Sequence, residues 1–331
     1  MTGKERAGRA GRIVGALLGV HVGDALGAAL EFSSWAQVRR RYPHGLAEIT
    51  GGGPFGWPPG HATDDTDLTR AVLLAYLDAA RTDGGRLGAG PADVVRAAAE
   101  YMLAWLDGDW PGREPGVPPR DVGGATRAGL EAYRQSRDPR SAGAGPGRAG
   151  NGSLMRCLPT GLAVAEPSRR ISESIEISAI THDDERAVTA CAAYNEIVAA
   201  LIGGAGPATA VAAGLVTARA LGSDQVAAAI EAGRGLEPAV LAATGELPFP
   251  GQASGYVLDS LTLAVAAVTD PRPLAAVLVD IARLGHDADT NAAIAGGLLG
   301  ARDGAAAIPA RWTAVLQFGA EFAAAGQVLA R

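Results

Sequence analysis

Two short acidic clusters, far apart in the chain, restrict its fold more than any other feature. Thr63-Asp64-Asp65-Thr66-Asp67 precedes one apolar helical stretch, and His286-Asp287-Ala288-Asp289-Thr290 precedes another. Taken alone, each serves as a helix N-cap: Thr and Asp side chains accept from free backbone N–H groups, and acids suit the positive helix end. One cap uses one or two such residues. Three acids and two threonines in the five positions of the first cluster exceed that need and repel one another. If the two helix starts meet in space, Asp64, Asp65, Asp287 and Asp289 converge, and they cannot all stay ionised unless cations neutralise them. The donors are all hard oxygens. They suit Mg²⁺ or Mn²⁺, admit Ca²⁺ and disfavour Zn²⁺.

Helical periodicity dominates the rest of the chain. Residues 67–80 show it most cleanly, with Leu68, Ala71, Val72 and Ala75 at i, i+3, i+4 and i+7. Further helices are predicted over 12–30, 91–106, 121–136, 167–180, 185–203, 207–221, 223–234, 255–268, 271–284, 291–301 and 308–329. The first is expected to break near Gly23-Asp24, and Pro91 suits a first helical position. Period-two strands and internal repeats are lacking. Hydrophobic residues make up 48% of the 331 residues and aromatics only 5%, with 46 glycines. Such small side chains let helices approach closely, and alanine is the best helix former. The expected fold is all-α, an orthogonal helical bundle forming one domain over 1–331, with residues 1–10 flexible. Gly- and Pro-rich loops at 51–60, 108–119 and 142–152 lie beside the polar motifs.

The formal charge is −6 and there is no basic tract, which argues against a general nucleic-acid surface. An anionic ligand here needs a metal ion, a helix N-terminus or a backbone nest. Cys157 and Cys191 fit no metal pattern and are read as buried free thiols in a reducing cytoplasm. Lys4, Arg6, Arg9 and Arg12 precede an apolar run at 13–20 in the manner of a signal peptide. His21 and Asp24 follow at once, however, and no small-x-small site ends the run. No stretch reaches the ~18 apolar residues of a membrane span.

Three further motifs carry polar groups. Gly19-x-x-x-Gly23-Asp24-Ala25-Leu26-Gly27 is followed by Glu31-Phe32. Its glycines suit close helix packing, and Asp24, inside an apolar run, requires a hydrogen-bond partner or a polar cavity. Glu31, read alone, is a solvated surface acid. Gly150-Asn151-Gly152-Ser153-Leu154-Met155-Arg156 reads as an ordinary loop or as backbone N–H groups facing an anion. In it Ser153 is a candidate helix cap, Arg148 and Arg156 are candidate phosphate partners, and Pro159 predicts a short or kinked helix beyond. In Thr181-His182-Asp183-Asp184, Thr181 or Asp183 is a candidate cap for the helix that follows, and a lone histidine such as His182 is more often structural than a ligand.

In this order, the motifs resemble those of the ADP-ribosylglycohydrolase family over about residues 15–301. The resemblance implies an all-α bundle with two Mg²⁺ ions in a central cleft. By motif, Thr63, Asp64, Asp65, Asp287, Asp289 and Thr290 resemble the metal ligands. Asp24, Gly150, Asn151, Gly152, Ser153, Met155 and His182 resemble residues around the ADP-ribose. Glu31 matches an acid with a catalytic role in some members, on a mobile loop over the metals, and Asp121 matches an acid used by others. Three departures concern the substrate opening: His286 stands where glycine is common, Ala28 and Ala29 replace a small-x-Pro pattern, and the 108–120 loop is extended.

The implied chemistry is cleavage of a glycosidic bond between ADP-ribose and an acceptor, a protein side chain or a small molecule, through an oxocarbenium-like state. The expected partner is an ADP-ribosylated protein or a small ADP-riboside. Two alternatives remain open: a nucleotide or metabolite N-riboside as substrate, and a non-catalytic relative like the crystallins of this fold. Prenyl and terpene synthases also bind Mg²⁺ through helical acids, but they use Asp-Asp-x-x-Asp and an aromatic-rich pocket. This chain has Asp64-Asp65-x-Asp67 and few aromatics.

Overall fold

The computed structural model describes residues 7–82, 93–249 and 252–331. Its regular structure is helical: α1 (Arg9–Gly27), α2 (Trp35–Arg41), α3 (Asp64–Thr82), α4 (Val94–Leu106), α5 (Gly124–Ser136), α6 (Leu158–Ala163), α7 (Pro167–Ala179) and α8 (Glu185–Ile202). These are followed by α9 (Pro207–Ala220), α10 (Asp224–Gly233), α11 (Pro238–Thr244), α12 (Val257–Thr269), α13 (Leu274–Arg283), α14 (Ala288–Asp303), α15 (Ala310–Thr313) and α16 (Gly319–Leu329). Among the described residues the only β pairings are isolated bridges, Gly52 with Trp57 and Gly150 with Tyr256. The all-α expectation holds.

At the centre, α1 packs antiparallel against α14. Both helices are buried on every side for most of their length, which explains their weak amphipathic pattern. The close approach is made by glycine. Gly15, Gly19, Gly23 and Gly27 face Gly300, Gly296, Ala292 and Ala288 in turn, and a β-carbon on any of the four would overlap backbone of α14. Spacing of four residues puts all four on one face of α1. The helices therefore meet backbone to backbone, as the Gly-x-x-x-Gly spacing suggested.

Arginines finish several helices. Arg12 donates to the carbonyls of Leu201, Ala301 and Arg302 at 3.1, 3.3 and 3.0 Å, covering the ends of α8 and α14. Arg302 does the same for α12, reaching Ala267 and Val268. A cation suits the negative helix end and satisfies its orphan carbonyls. Arg12, which reads in sequence as part of a basic leader, is thus a buried structural residue, and residues 13–20 are core. No helix among the described residues is long and apolar enough to cross a membrane.

Several boundaries depart from expectation. α1 runs unbroken through Gly23-Asp24, because Asp24 Oδ2 takes its hydrogen bonds from the start of α3 at the side and leaves the helical ladder intact. It also begins at Arg9, within the ten residues expected to be flexible, of which 1–6 lie outside the described residues. α3 and α14 start three residues earlier than predicted, which places their acids inside the first helical turn. α5 starts at Gly124, leaving Asp121 in the preceding loop. The 308–329 stretch is two helices, α15 and α16. Pro91 lies outside the described residues, and the observed start of α4 is capped by Asp93. α6 is short, as Pro159 indicated.

Candidate metal and active site

The N-termini of α3 and α14 meet beside the C-terminal end of α1. Asp24 Oδ2 accepts from the backbone N–H groups of Thr63 at 3.0 Å and Thr66 at 3.3 Å, and from the Thr66 hydroxyl. An aspartate of one helix thus caps another. Asp65 Oδ2 accepts from the hydroxyls of Thr63 and Thr290, both at 3.3 Å, which ties the two acidic clusters together across 225 residues of chain. The Asp289 carboxylate accepts from the Thr290 N–H at 3.0 Å. Asn151 donates to Asp287 at 2.6 Å and to Ser260 at 2.9 Å, so the glycine-rich loop is pinned to the second cluster.

Carboxylates gather here in two groups of three. Asp24, Asp65 and Asp289 place one oxygen each within 4.8 Å of the others, and Glu31, Asp121 and Asp289 do the same. Asp289 belongs to both. Asp24 Oδ1, Asp65 Oδ1 and Glu31 Oε2 are buried without a hydrogen-bond partner. Burial is the largest cause of the raised carboxyl pKa values, with mutual repulsion added. Asp24 is pushed up to about 7, Glu31 to about 8 and Asp121 to about 6. Asp64, Asp65 and Asp289 rise well above the carboxylate range, and Asp287 rises too. Asp64 and Asp287 fall outside both groups of three, but each appears among the charges acting on neighbouring acids. Asp24, expected beside the substrate, stands within the acidic cluster.

Glu31 follows α1 in a segment held against the start of α14. Phe32 N–H donates to the His286 carbonyl and His286 N–H to the Ser33 carbonyl, both at 2.7 Å. Phe32 and His286 both adopt left-handed backbone, at φ 58° and 56°. That conformation is costly for side chains with a β-carbon and is held by this reciprocal pair. The segment expected to be mobile is tied down on its backbone here, and Glu31 is buried at 6% exposure.

The glycine-rich loop differs from expectation in how it uses its side chains. The Ser153 hydroxyl faces the core, accepting from Ser178 at 2.8 Å, and caps no helix. Arg156 is fully buried, donating to the carbonyls of Gly152 at 2.6 Å and Ile177 at 3.1 Å, and cannot meet a phosphate. Arg148 remains exposed and lines a shallow hollow with Gly150, Arg186 and Tyr256. Met155 is buried, and its carbonyl accepts from Thr69 of α3 at 3.2 Å. His182 lies under the loop: a β-carbon on Gly152 would come 2.9 Å from its ring, so this glycine is needed for space. Burial, with Arg156 nearby, lowers the His182 pKa to about 3 and keeps the ring neutral. Cys157 and Cys191 are both buried and free.

A cavity of about 360 Å³ opens beside the acids. It is lined by Thr63, Asp64 and Asp121 on one side and by Trp57, His61, Trp110, Arg113 and Arg120 on others. Asp67 organises its wall, accepting from Trp105 at 3.0 Å, Trp110 at 3.1 Å and Arg113 at 2.6 Å. The extended 108–120 loop is thereby anchored to the helix that carries the first acidic cluster. Sequence reasoning passed over Asp67, although its place one turn after Asp64 and the isolated Trp110 and Arg113 of that loop were available signals.

A model described as ADP-ribosylglycohydrolase matches residues 5–331. The ADP-ribosyl-[dinitrogen reductase] glycohydrolase of Rhodospirillum rubrum is 31% identical over 315 residues, 94% of this chain and 92% of that protein. The ADP-ribosylarginine hydrolase Tri1 of Pseudomonas putida (strain GB-1) is 30% identical over 309 residues, 91% of this chain and 73% of that protein. A solved structure titled ADP-ribosylglycohydrolase-related protein complex superposes with a TM-score of 0.76 at 29% identity, covering 98% of each chain.

Proposed function

Since the chain belongs to the ADP-ribosylglycohydrolase family, we propose that it is a Mg²⁺-dependent hydrolase that releases ADP-ribose from an ADP-ribosylated acceptor. The observation that carries the metal-dependent reading is the pair of three-carboxylate groups sharing Asp289, with buried oxygens left unpartnered. A cluster so acidic and so poorly satisfied needs cations, and its donors are hard oxygens. Mg²⁺, with Mn²⁺ as a substitute, fits this set. Asp65 and Asp289 with Asp24 would hold one ion, and Asp289 with Glu31 and Asp121 would face the second. Thr63, Asp64, Asp287 and Thr290 complete the surroundings. When bound, such ions stabilise negative charge that develops on oxygen.

The chain's own groups supply the rest. Glu31 holds or moves the proton at its unpartnered Oε2, and Asp121 is the second candidate for that role. Asn151 orients Asp287, and the loop 150–153 with His182 beneath it borders the hollow that takes the ADP-ribose end. His182, held neutral, adds no charge there. The cluster residues are all present, which argues against a non-catalytic relative. The family match over residues 5–331 and the packing of α1 on α14 support reading the chain as one domain.

The test is a panel of ADP-ribosylated arginine, serine and nucleic-acid ends plus free nucleotides, assayed for ADP-ribose release with Mg²⁺ and with chelator. Metal-dependent release from an acceptor is expected. Release from free nucleotides alone would move the reading to an N-riboside hydrolase, and no release from any would overturn it.

A further inference from the structure

We propose that the cavity beside the acidic cluster seats the leaving group, and that Arg120 at its rim recognises a carboxylate carried by that group. This rests on the hydrolase reading above and adds a substrate class to it.

The cavity is electrically two-sided. Asp64 and Asp121 form the end shared with the cluster, and the cations Arg113 and Arg120 stand on the other walls, with Asp67 and Glu114 as the acids there. About 360 Å³ has room for a group the size of an amino acid, and it lies within the range of natural ligand sites. The walls are fixed. Trp57 and His61 stack at 4.5 Å between ring centroids, and His61 is packed against Arg113. Its Nε2 faces a guanidinium, so it must accept there, leaving the imidazole neutral. Burial, then Arg113, lowers its pKa to about 4, and Arg120 contributes to that shift as well.

The two arginines differ in availability. Arg113 is committed, pairing with Asp67 at 2.6 Å and donating to the Ala62 carbonyl and the Gln317 amide oxygen. Arg120 is exposed, with its guanidinium 5.9 Å from the Trp57 ring and a 3.3 Å bond to the Phe55 carbonyl. Among the described residues it has no carboxylate within ion-pair distance. Glu114, on the same cavity wall, is exposed and does not pair with it. Arg120 is therefore the cation of this wall left free to meet a carboxylate on the ligand. A leaving group with an amino or guanidino function at the cleaved bond and a carboxylate at its far end complements both sides.

ADP-ribosylarginine and ADP-ribosylagmatine differ in the leaving group's α-carboxylate alone. With Mg²⁺, wild-type protein should prefer the arginine compound by about two- to fivefold in kcat/KM, the range for an ion pair at an exposed site. In Arg120→Met that ratio should fall to near one. Two blocked peptides, with aspartate or alanine beside the ADP-ribosylated arginine, locate the source of the charge. Preference for the aspartate peptide assigns it to an acidic protein segment, and preference for the free amino-acid compound assigns it to a small acceptor. No preference within either pair, or a preference that survives Arg120→Met, overturns the assignment. Calorimetric binding of L-arginine against agmatine provides a readout without turnover. If neither riboside is cleaved while another acceptor of the panel is, the arginine-type leaving group falls and the hydrolase reading stands; equal binding of L-arginine and agmatine ends the carboxylate site separately.

Discussion

At the scale of the residue, Glu31 illustrates how placement makes a reagent of an ordinary acid. Its pKa of about 8 arises first from burial, then from Asp121, Asp287 and Asp24. That value belongs to the metal-free site; cations bound beside it would lower it, so in the loaded enzyme Glu31 is suited to accept a proton from a reacting group. Glu31→Gln keeps the shape and removes the titration. Turnover should fall by about 10²–10⁴-fold while ADP-ribose binding measured by calorimetry stays near wild type. Near-normal kcat in this variant would transfer the role to Asp121. In sequence Glu31 is indistinguishable from a solvated acid, because nothing near it announces that Phe32 and His286 will hold its segment inward. The convergence of the two aspartate clusters was legible, since their number exceeds what a cap requires. Arg156 misled for the opposite reason: a basic residue beside a glycine loop suggests a phosphate partner, but its burial depends on α7 and α8, which only the fold brings over it.

At the scale of the element, the contact between α1 and α14 depends on missing side chains. Gly19→Ala would drive a methyl into the Gly296 carbonyl, and Gly23→Ala into that of Ala292. Overpacking of this kind costs about 1–3 kcal/mol, more where both surfaces are backbone. Each variant should lower the urea midpoint, whereas Gly11→Ala, in the same helix and with only an ordinary 3.7 Å contact to the Ala7 β-carbon, should leave it unchanged or raise it through better helix propensity. Loss of stability in this control equal to that in the core variants would show that the close approach is not at issue. Long periodic helices were readable from sequence to within a few residues. The short α2 was not, although Ser34 and Gln37 form a capping box that marks its start. The 308–329 stretch looked continuous because its apolar residues keep helical spacing through the break at 314–318.

At the scale of the whole molecule, the acidic cluster makes stability depend on both pH and metal. Asp121, Asp24 and Glu31 have folded pKa values of about 6, 7 and 8, above those of free carboxyls. Between the unfolded and folded values the native state binds more protons, so stability falls as pH rises. Without divalent cations the melting temperature should therefore decline from about pH 5 to pH 8. Mg²⁺ should flatten that decline and raise the curve, by ~2.7 kcal/mol at a hundredfold excess over Kd. Asp65→Asn and Asp289→Asn should each blunt the Mg²⁺ response, and the double variant should lose little beyond either single, because residues of one site are not additive. A melting curve indifferent to Mg²⁺ and chelator at every pH would leave the clusters as helix caps only.

The pairing of α1 with α14 also sets an order of events during synthesis. The two helices that form the centre are made near opposite ends of the chain, and contacts so distant in sequence form late. A growing chain stopped short of α14 has neither its central helix pair nor Asp289, the residue common to both carboxylate groups. Until α14 leaves the ribosome, the glycine face of α1 has no partner helix. What finally covers that face is a helix made some 270 residues later.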